Sequence, residues 1–191
     1  MRKINSIKLE NHTELKKELI LNWYDLINYN CLRPNNPLEI KIFDLLNVNT
    51  NFVELEKAKE YLKQFDLNQF QVVVYLPYSK TGFHIDGFIN RYILPITTTK
   101  NAINFELDES YLDNRDYVED FYQKHISWNG GLTTAISDYE NWLYTPNKNN
   151  FVYNVDENEC VEIGDNWHAH HNYSPLHRII IVFDTKKKIN E

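Results

Sequence analysis

The chain has 191 residues, 42% of them hydrophobic and 14% aromatic, which supports one domain with its own core and is too little for two ordinary ones. A formal charge of −7 argues against a dominant nucleic-acid or anionic-membrane surface, since such interfaces are strongly positive. Two cysteines outside any CxxC pair, Cys31 and Cys160, and an N-terminus without signal-like features point to a reduced, cytoplasmic setting, and the longest apolar run, Ile179 to Phe183, is too short for a membrane span.

Leu15, Leu19, Trp23 and Leu26 recur at helical spacing, so Leu15 to Leu26 is expected to form a helix. Asn11 or Thr13 is its expected cap, with Glu14 and Glu18 near its positive end. Pro34 to Asn51 reads as loop, broken at Pro34-Asn35-Asn36-Pro37. A second helix is expected over Val53 to Phe65, capped by Asn51, with Val53, Ala58, Tyr61, Leu62 and Phe65 on one side.

From Phe70 the helical period gives way to strand-like runs. Phe70 to Leu76 is β-branched and aromatic and stops at Pro77. Further short strands are expected at Phe83–Asp86, Arg91–Thr97, Ile103–Leu107, Phe151–Val155, Cys160–Ile163, Trp167–Asn172 and Arg178–Asp184. Residues 108–150 interrupt this pattern with helical spacing at Tyr111–Tyr122 and Thr133–Tyr144, joined through Asn129-Gly130-Gly131. The expectation is a mainly β fold with flanking α-helices: a double-stranded β-helix, or cupin-like jelly roll, with the N-terminal helices on one face. In this reading residues 1–69 are helical support, 70–107 and 151–185 are the two jelly-roll halves, and 108–150 is an insertion that is either a substrate lid or a packing elaboration. Lys186-Lys187-Lys188 reads as a solvated tail.

The chemistry concentrates in three places. In His84-Ile85-Asp86 the first and third residues share one face of a strand, so an imidazole and a carboxylate reach one ion together. Downstream, His168, His170 and His171 lie within four residues. Two imidazoles and one carboxylate form the ligand set of a redox iron(II) that keeps coordination positions open. The period of two groups His168 with His170 against His171, and by itself does not choose between the first two. Arg178 opens the apolar run Ile179 to Phe183, where a charge is costly unless it meets a polar group, so it is expected to face a polar cavity.

The order HxD, then Asn90-Arg91-Tyr92-Ile93-Leu94-Pro95-Ile96, then His168-x-x-x-Asn172, then Arg178 and Asp184, resembles the aspartyl/asparaginyl (and proline) β-hydroxylase family. Members are 2-oxoglutarate- and iron(II)-dependent oxygenases with a double-stranded β-helix fold. The resemblance covers Val72 to Asp184 outside the insertion, and it implies a ligand set of His84, Asp86 and His168, because His168 stands four residues before Asn172 and ten before Arg178. It also implies that 2-oxoglutarate chelates the iron, that Arg178 holds its far carboxylate by a two-pronged contact, and that O₂ takes the remaining position. Succinate and CO₂ would be the coproducts of a hydroxylation. An aspartate at position 86 occupies the site a halide would need, which favours hydroxylation over halogenation.

Around this centre, Arg91 is expected to meet a cosubstrate or substrate carboxylate, or to form a structural salt bridge. Tyr75 and Tyr92 are expected to donate to the cosubstrate, and Trp167 to wall the site or belong to the core. The chain departs from the family pattern at His170, where an apolar residue is usual; His170 is assigned to the second shell of the metal or to substrate, and His171 has no assigned role. The substrate class is an amino acid, free or in a peptide. The competing function is a non-oxygenase cupin, a metal-binding protein or isomerase, which has no need of Arg178 at its spacing.

Overall fold

A computed structural model describes residues 2–32, 40–79, 90–97, 102–107, 150–153, 155–164, 168–172 and 174–190; for 102–107, 150–153 and 168–171 the backbone alone is described. The elements in chain order are β1 (Arg2–Lys3), α1 (His12–Asn22) running into a 3₁₀ segment (Trp23–Asn28), β2 (Ile40–Asp44), α2 (Val53–Lys63), β3 (Leu67–Tyr75), β4 (Arg91–Pro95), β5 (Ala102–Leu107), β6 (Asn150–Tyr153), β7 (Val161–Glu162), β8 (His168–Asn172) and β9 (Arg178–Thr185). The expected strand at Phe83–Asp86 and the expected helices at Tyr111–Tyr122 and Thr133–Tyr144 lie outside the described residues.

Both N-terminal helices form where the apolar spacing predicts, but their ends are built by each other. The Asn11 amide, expected to cap α1, donates to the Glu54 backbone carbonyl and carboxylate, both at 2.9 Å. Glu18 projects from α1 to the start of α2, where its carboxylate accepts the N–H groups of Glu54 and Leu55 at 3.0 Å. It satisfies orphan donors of the first turn of α2 and sets a negative charge against that helix's positive end, the task expected of Asn51. Val53, expected in the core, is exposed, and Leu55 is buried instead. A further correction is β2, which falls within the stretch read as loop. Its five residues pair with β3 from Ile40↔Tyr75 to Asp44↔Gln71, a long-range ladder that outweighs the nearby turn-forming residues.

Two sheets result, antiparallel throughout. The larger runs β1-β7-β4-β9-β3-β2 and the smaller β6-β5-β8. After β4 the chain enters the small sheet for β5 and β6, returns for β7, crosses back for β8, and inserts β9 between β3 and β4. This repeated crossing is jelly-roll connectivity, in agreement with the expected fold.

The period of two divides the large sheet cleanly. Phe70, Val72 and Val74 of β3, Tyr92 and Leu94 of β4, and Ile179, Ile181 and Phe183 of β9 pack with Leu15, Leu19 and Leu26 and with Leu55 and Leu62 of the helices. The alternate residues Val73 and Tyr75, Ile93, Val161, Ile180 and Val182 form a second buried cluster on the opposite, inner face. All eight residues of β9 are buried. At full burial each such Val, Ile, Leu or Phe side chain contributes about 1.5–3 kcal/mol, so this strand is the rigid backbone of the fold.

Candidate metal and cosubstrate site

Arg178, Ile180, Val182 and Asp184 share the inner face of β9, so this apolar strip carries a charge at each end. Arg178 is 1% exposed. It pairs directly across from Tyr75, the last residue of β3, and its guanidinium carbon lies 5.6 Å from the centre of the Tyr75 ring. Burial pushes the guanidinium down to about 10, with the neighbouring Tyr75 acting in the other direction.

The small sheet reaches the same end of the molecule through Asn172. This residue is the last of β8 and is 1% exposed. Its amide donates to the carbonyls of Leu76, just past β3, at 3.0 Å, and of Leu176, in the turn before β9, at 2.9 Å; its side-chain oxygen accepts the Ser174 N–H at 3.2 Å. The Asn172 backbone N–H donates to the Ser79 carbonyl at 2.9 Å. One side chain therefore ties the strand that begins at His168 to the strand ending at Tyr75 and to the turn leading into Arg178. Thr97, two residues past the end of β4, secures the start of β9, its hydroxyl oxygen accepting the Ile179 N–H at 2.9 Å.

His84, Asp86 and Trp167 lie outside the described residues. The chain that carries His84 and Asp86 leaves Ser79 beside Asn172 and returns at Asn90, whose carbonyl accepts the Thr185 N–H at 3.1 Å. The backbones of His168, His170 and His171 all belong to β8, opposite Glu106, Asn104 and Ile103 of β5. Among the described residues there is no group of three or more His, Cys, Asp or Glu placed to hold a metal ion.

Two further expected site residues have partners within the fold. Arg91 lies at the other end of the inner face, where Nε and Nη2 meet the two Asp184 carboxylate oxygens at 2.7 and 2.9 Å and Nη2 also donates to Gln69 at 2.5 Å. This is the structural salt bridge that was one of its expected roles. Tyr92 points to the helix-covered face, stacks on Phe183 at 5.2 Å, and accepts the Ile189 N–H on its hydroxyl at 2.9 Å. One residue after Arg91, it lies on the opposite side of the strand from that arginine. Tyr75 lies on the inner face, paired with Arg178. His177 packs against Trp23 of the 3₁₀ segment, ring centres 5.0 Å apart and planes tilted by 44°, and burial lowers its pKa.

Strand order and a polar-ended inner face define the class of this protein: a cupin-like jelly roll. No protein-family model and no curated protein sequence matches the chain. Solved structures similar to it include a cupin domain from Bordetella pertussis Tohama I, at 11% identity over 62% of this chain and 81% of that one, with a TM-score of 0.34. Drosophila melanogaster CENP-C bound to CAL1 is similar at 9% identity over 91% of this chain and 98% of that one, TM-score 0.44. An oxalate oxidase in complex with the substrate analogue glycolate is similar at 10% identity over 81% of this chain and 55% of that one, TM-score 0.43. No helix among the described residues is long and apolar enough to cross a membrane.

Proposed function

We propose that this chain is a 2-oxoglutarate- and iron(II)-dependent dioxygenase of the aspartyl/asparaginyl (proline) β-hydroxylase type, acting on an amino acid or an amino-acid side chain. The observation that carries the reading is Arg178, a buried cation on the inner face beside Tyr75, ten residues after His168 and tied through Asn172 to the strand that His168 begins. His84, Asp86 and His168 would hold the metal, and Arg178 with Tyr75 would hold the far carboxylate of 2-oxoglutarate. When bound, the iron and its cosubstrate supply the oxidising chemistry, converting 2-oxoglutarate and O₂ to succinate and CO₂ while a substrate C–H becomes C–OH. The protein's part is orientation. Arg178 is immobilised by burial, Asn172 fixes the approach of β8 to β3, and the apolar strip from Ile180 to Val182 restricts water.

Anaerobic titration with iron(II) and then 2-oxoglutarate is expected to develop the charge-transfer absorption of a chelated cosubstrate, and admission of air to release succinate. His84→Ala and His168→Ala are expected to abolish both signals. Absence of any iron(II) or 2-oxoglutarate binding by the wild-type chain would end this reading. A non-oxygenase cupin, a metal-binding protein or isomerase, is the second reading, favoured by the two further histidines of β8, His170 and His171. Metal binding without 2-oxoglutarate binding, and with His170→Ala as damaging as His168→Ala, would select it.

A further inference from the structure

The start of α1 is stitched to both places where the chain crosses between the sheets. β4 ends at Pro95, from which the chain leaves for the small sheet, and the turn 156–159 leads back into β7. The Leu9 N–H donates to the Asn158 side-chain oxygen at 2.8 Å, and the Asn158 amide donates back to the Leu9 carbonyl at 3.0 Å. The Asn158 N–H in turn donates to the Pro95 carbonyl at 2.9 Å. Lys16 holds both carboxylate oxygens of Glu157 at 2.7 and 2.8 Å. His12, half-buried, sits within this seam, with Glu157, Lys16 and the Ile96 and Pro95 carbonyls around its ring. Its Nε2 is buried and has no hydrogen-bond partner among the described residues.

We propose that His12 is a proton-operated catch: neutral, it packs into this seam; protonated, it releases the start of α1 from the 156–159 turn. The inference is independent of the metal reading. A proton on His12 would put charge where its neighbours oppose it. His12 is the first residue of α1, at the positive end of the helix dipole. Lys16, four residues on, shares its side of the helix and carries the same sign. Glu157, the one carboxylate facing the ring among the described residues, is already taken by Lys16. The Pro95 carbonyl already accepts from Asn158, which leaves that of Ile96 to meet the new donor. Burial is the largest influence and lowers the pKa of His12 below its ordinary 6.5; Glu157 and the two carbonyls act the other way, and Lys16 adds to the lowering. The folded form therefore takes up a proton less readily than the unfolded one. The seam is intact above about pH 6.5 and loosens as pH falls through and below that value. Because it braces the chain at both crossings, its release loosens the join between the two sheets.

The test is amide hydrogen exchange of the full chain, followed by NMR and corrected for intrinsic rates, between about pH 7.5 and 5.5, where histidine is the side chain that titrates. Wild type is compared with His12→Phe, His12→Gln and, as a control at the other end of the helical segment, His177→Phe. The reporters are the N–H groups of Leu9, Leu15 and Asn158, which donate to the Asn158 side chain and to the Asn11 and Pro95 carbonyls. Amides of Ile180 and Ile181 in β9 serve as the reference. On acidification the wild type is expected to lose protection several-fold at the three reporters while β9 keeps its own. Both His12 variants are expected to hold their protection across the range, and His177→Phe to respond as wild type does. His12→Gln, neutral and polar, keeps the result readable if the phenylalanine does not fit. Protection that is independent of pH in wild type would overturn the proposal. A loss that persists in His12→Gln would assign the response to another group, and an equal loss in β9 would mean global unfolding; either outcome overturns it too.

Discussion

The two ends of β9 carry the same kind of side chain in opposite circumstances. At one end Arg91 is locked face to face with Asp184 in a buried, two-pronged ion pair, with Gln69 taking a further donor. At the other, about 20 Å away along the same inner face, Arg178 lies beside the Tyr75 ring, with burial pushing its guanidinium down to about 10. The first arrangement consumes its charge within the fold. The second sets a charge in a dry place, at the end where Asn172 ties the histidine strand to the segment just past β3. A buried arginine becomes a functional candidate by its surroundings, and burial alone does not distinguish the two.

The sharpest way to break this comparison is to remove the acid. Asp184→Ala leaves the buried Arg91 guanidinium without its carboxylate, and is expected to lower unfolding free energy by about 3–5 kcal/mol in urea denaturation. The paired replacement Arg91→Met with Asp184→Leu is expected to recover most of that loss. Arg178→Met is expected to act mainly on binding: a smaller loss of stability than Asp184→Ala, and weakening of 2-oxoglutarate binding by roughly 100-fold, about 3 kcal/mol, in an anaerobic titration. A large stability loss in Arg178→Met would mean that both ends are structural.

Two tyrosines extend the contrast at lower amplitude. Tyr92→Phe strands the buried Ile189 N–H and is expected to cost about 1–3 kcal/mol of stability without changing cosubstrate affinity. Tyr75→Phe is expected to leave stability within about 1 kcal/mol and to weaken 2-oxoglutarate several-fold. The smallest effect concerns pH. Burial lowers the pKa of His177 below its unfolded value, so the folded state resists protonation; stability is intact above about pH 6.5 and declines as pH falls through and below that value. His177→Phe is expected to flatten this decline in thermal melts between pH 7 and 5, while preserving the contact with Trp23.

Much of this was legible before any coordinates. The β-branched, aromatic and apolar runs Phe70–Leu76 and Arg178–Asp184 identify the two central strands. Parity along a pleated backbone places Arg91 and Tyr92 on opposite sides of their strand, as found. Spacing of apolar residues located both helices, and the cluster of histidines before an arginine-led strand located the candidate site. What the linear order does not contain is partnership across distance. Only the folded chain sends Glu18 to cap the other helix, spends Arg91 on Asp184, uses Asn172 to tie three segments together, and brings Glu106 opposite His168. Periodicity is a local consequence of backbone geometry and survives in a string of letters; charge neutralisation and register depend on which strands become neighbours, and tertiary packing alone decides that.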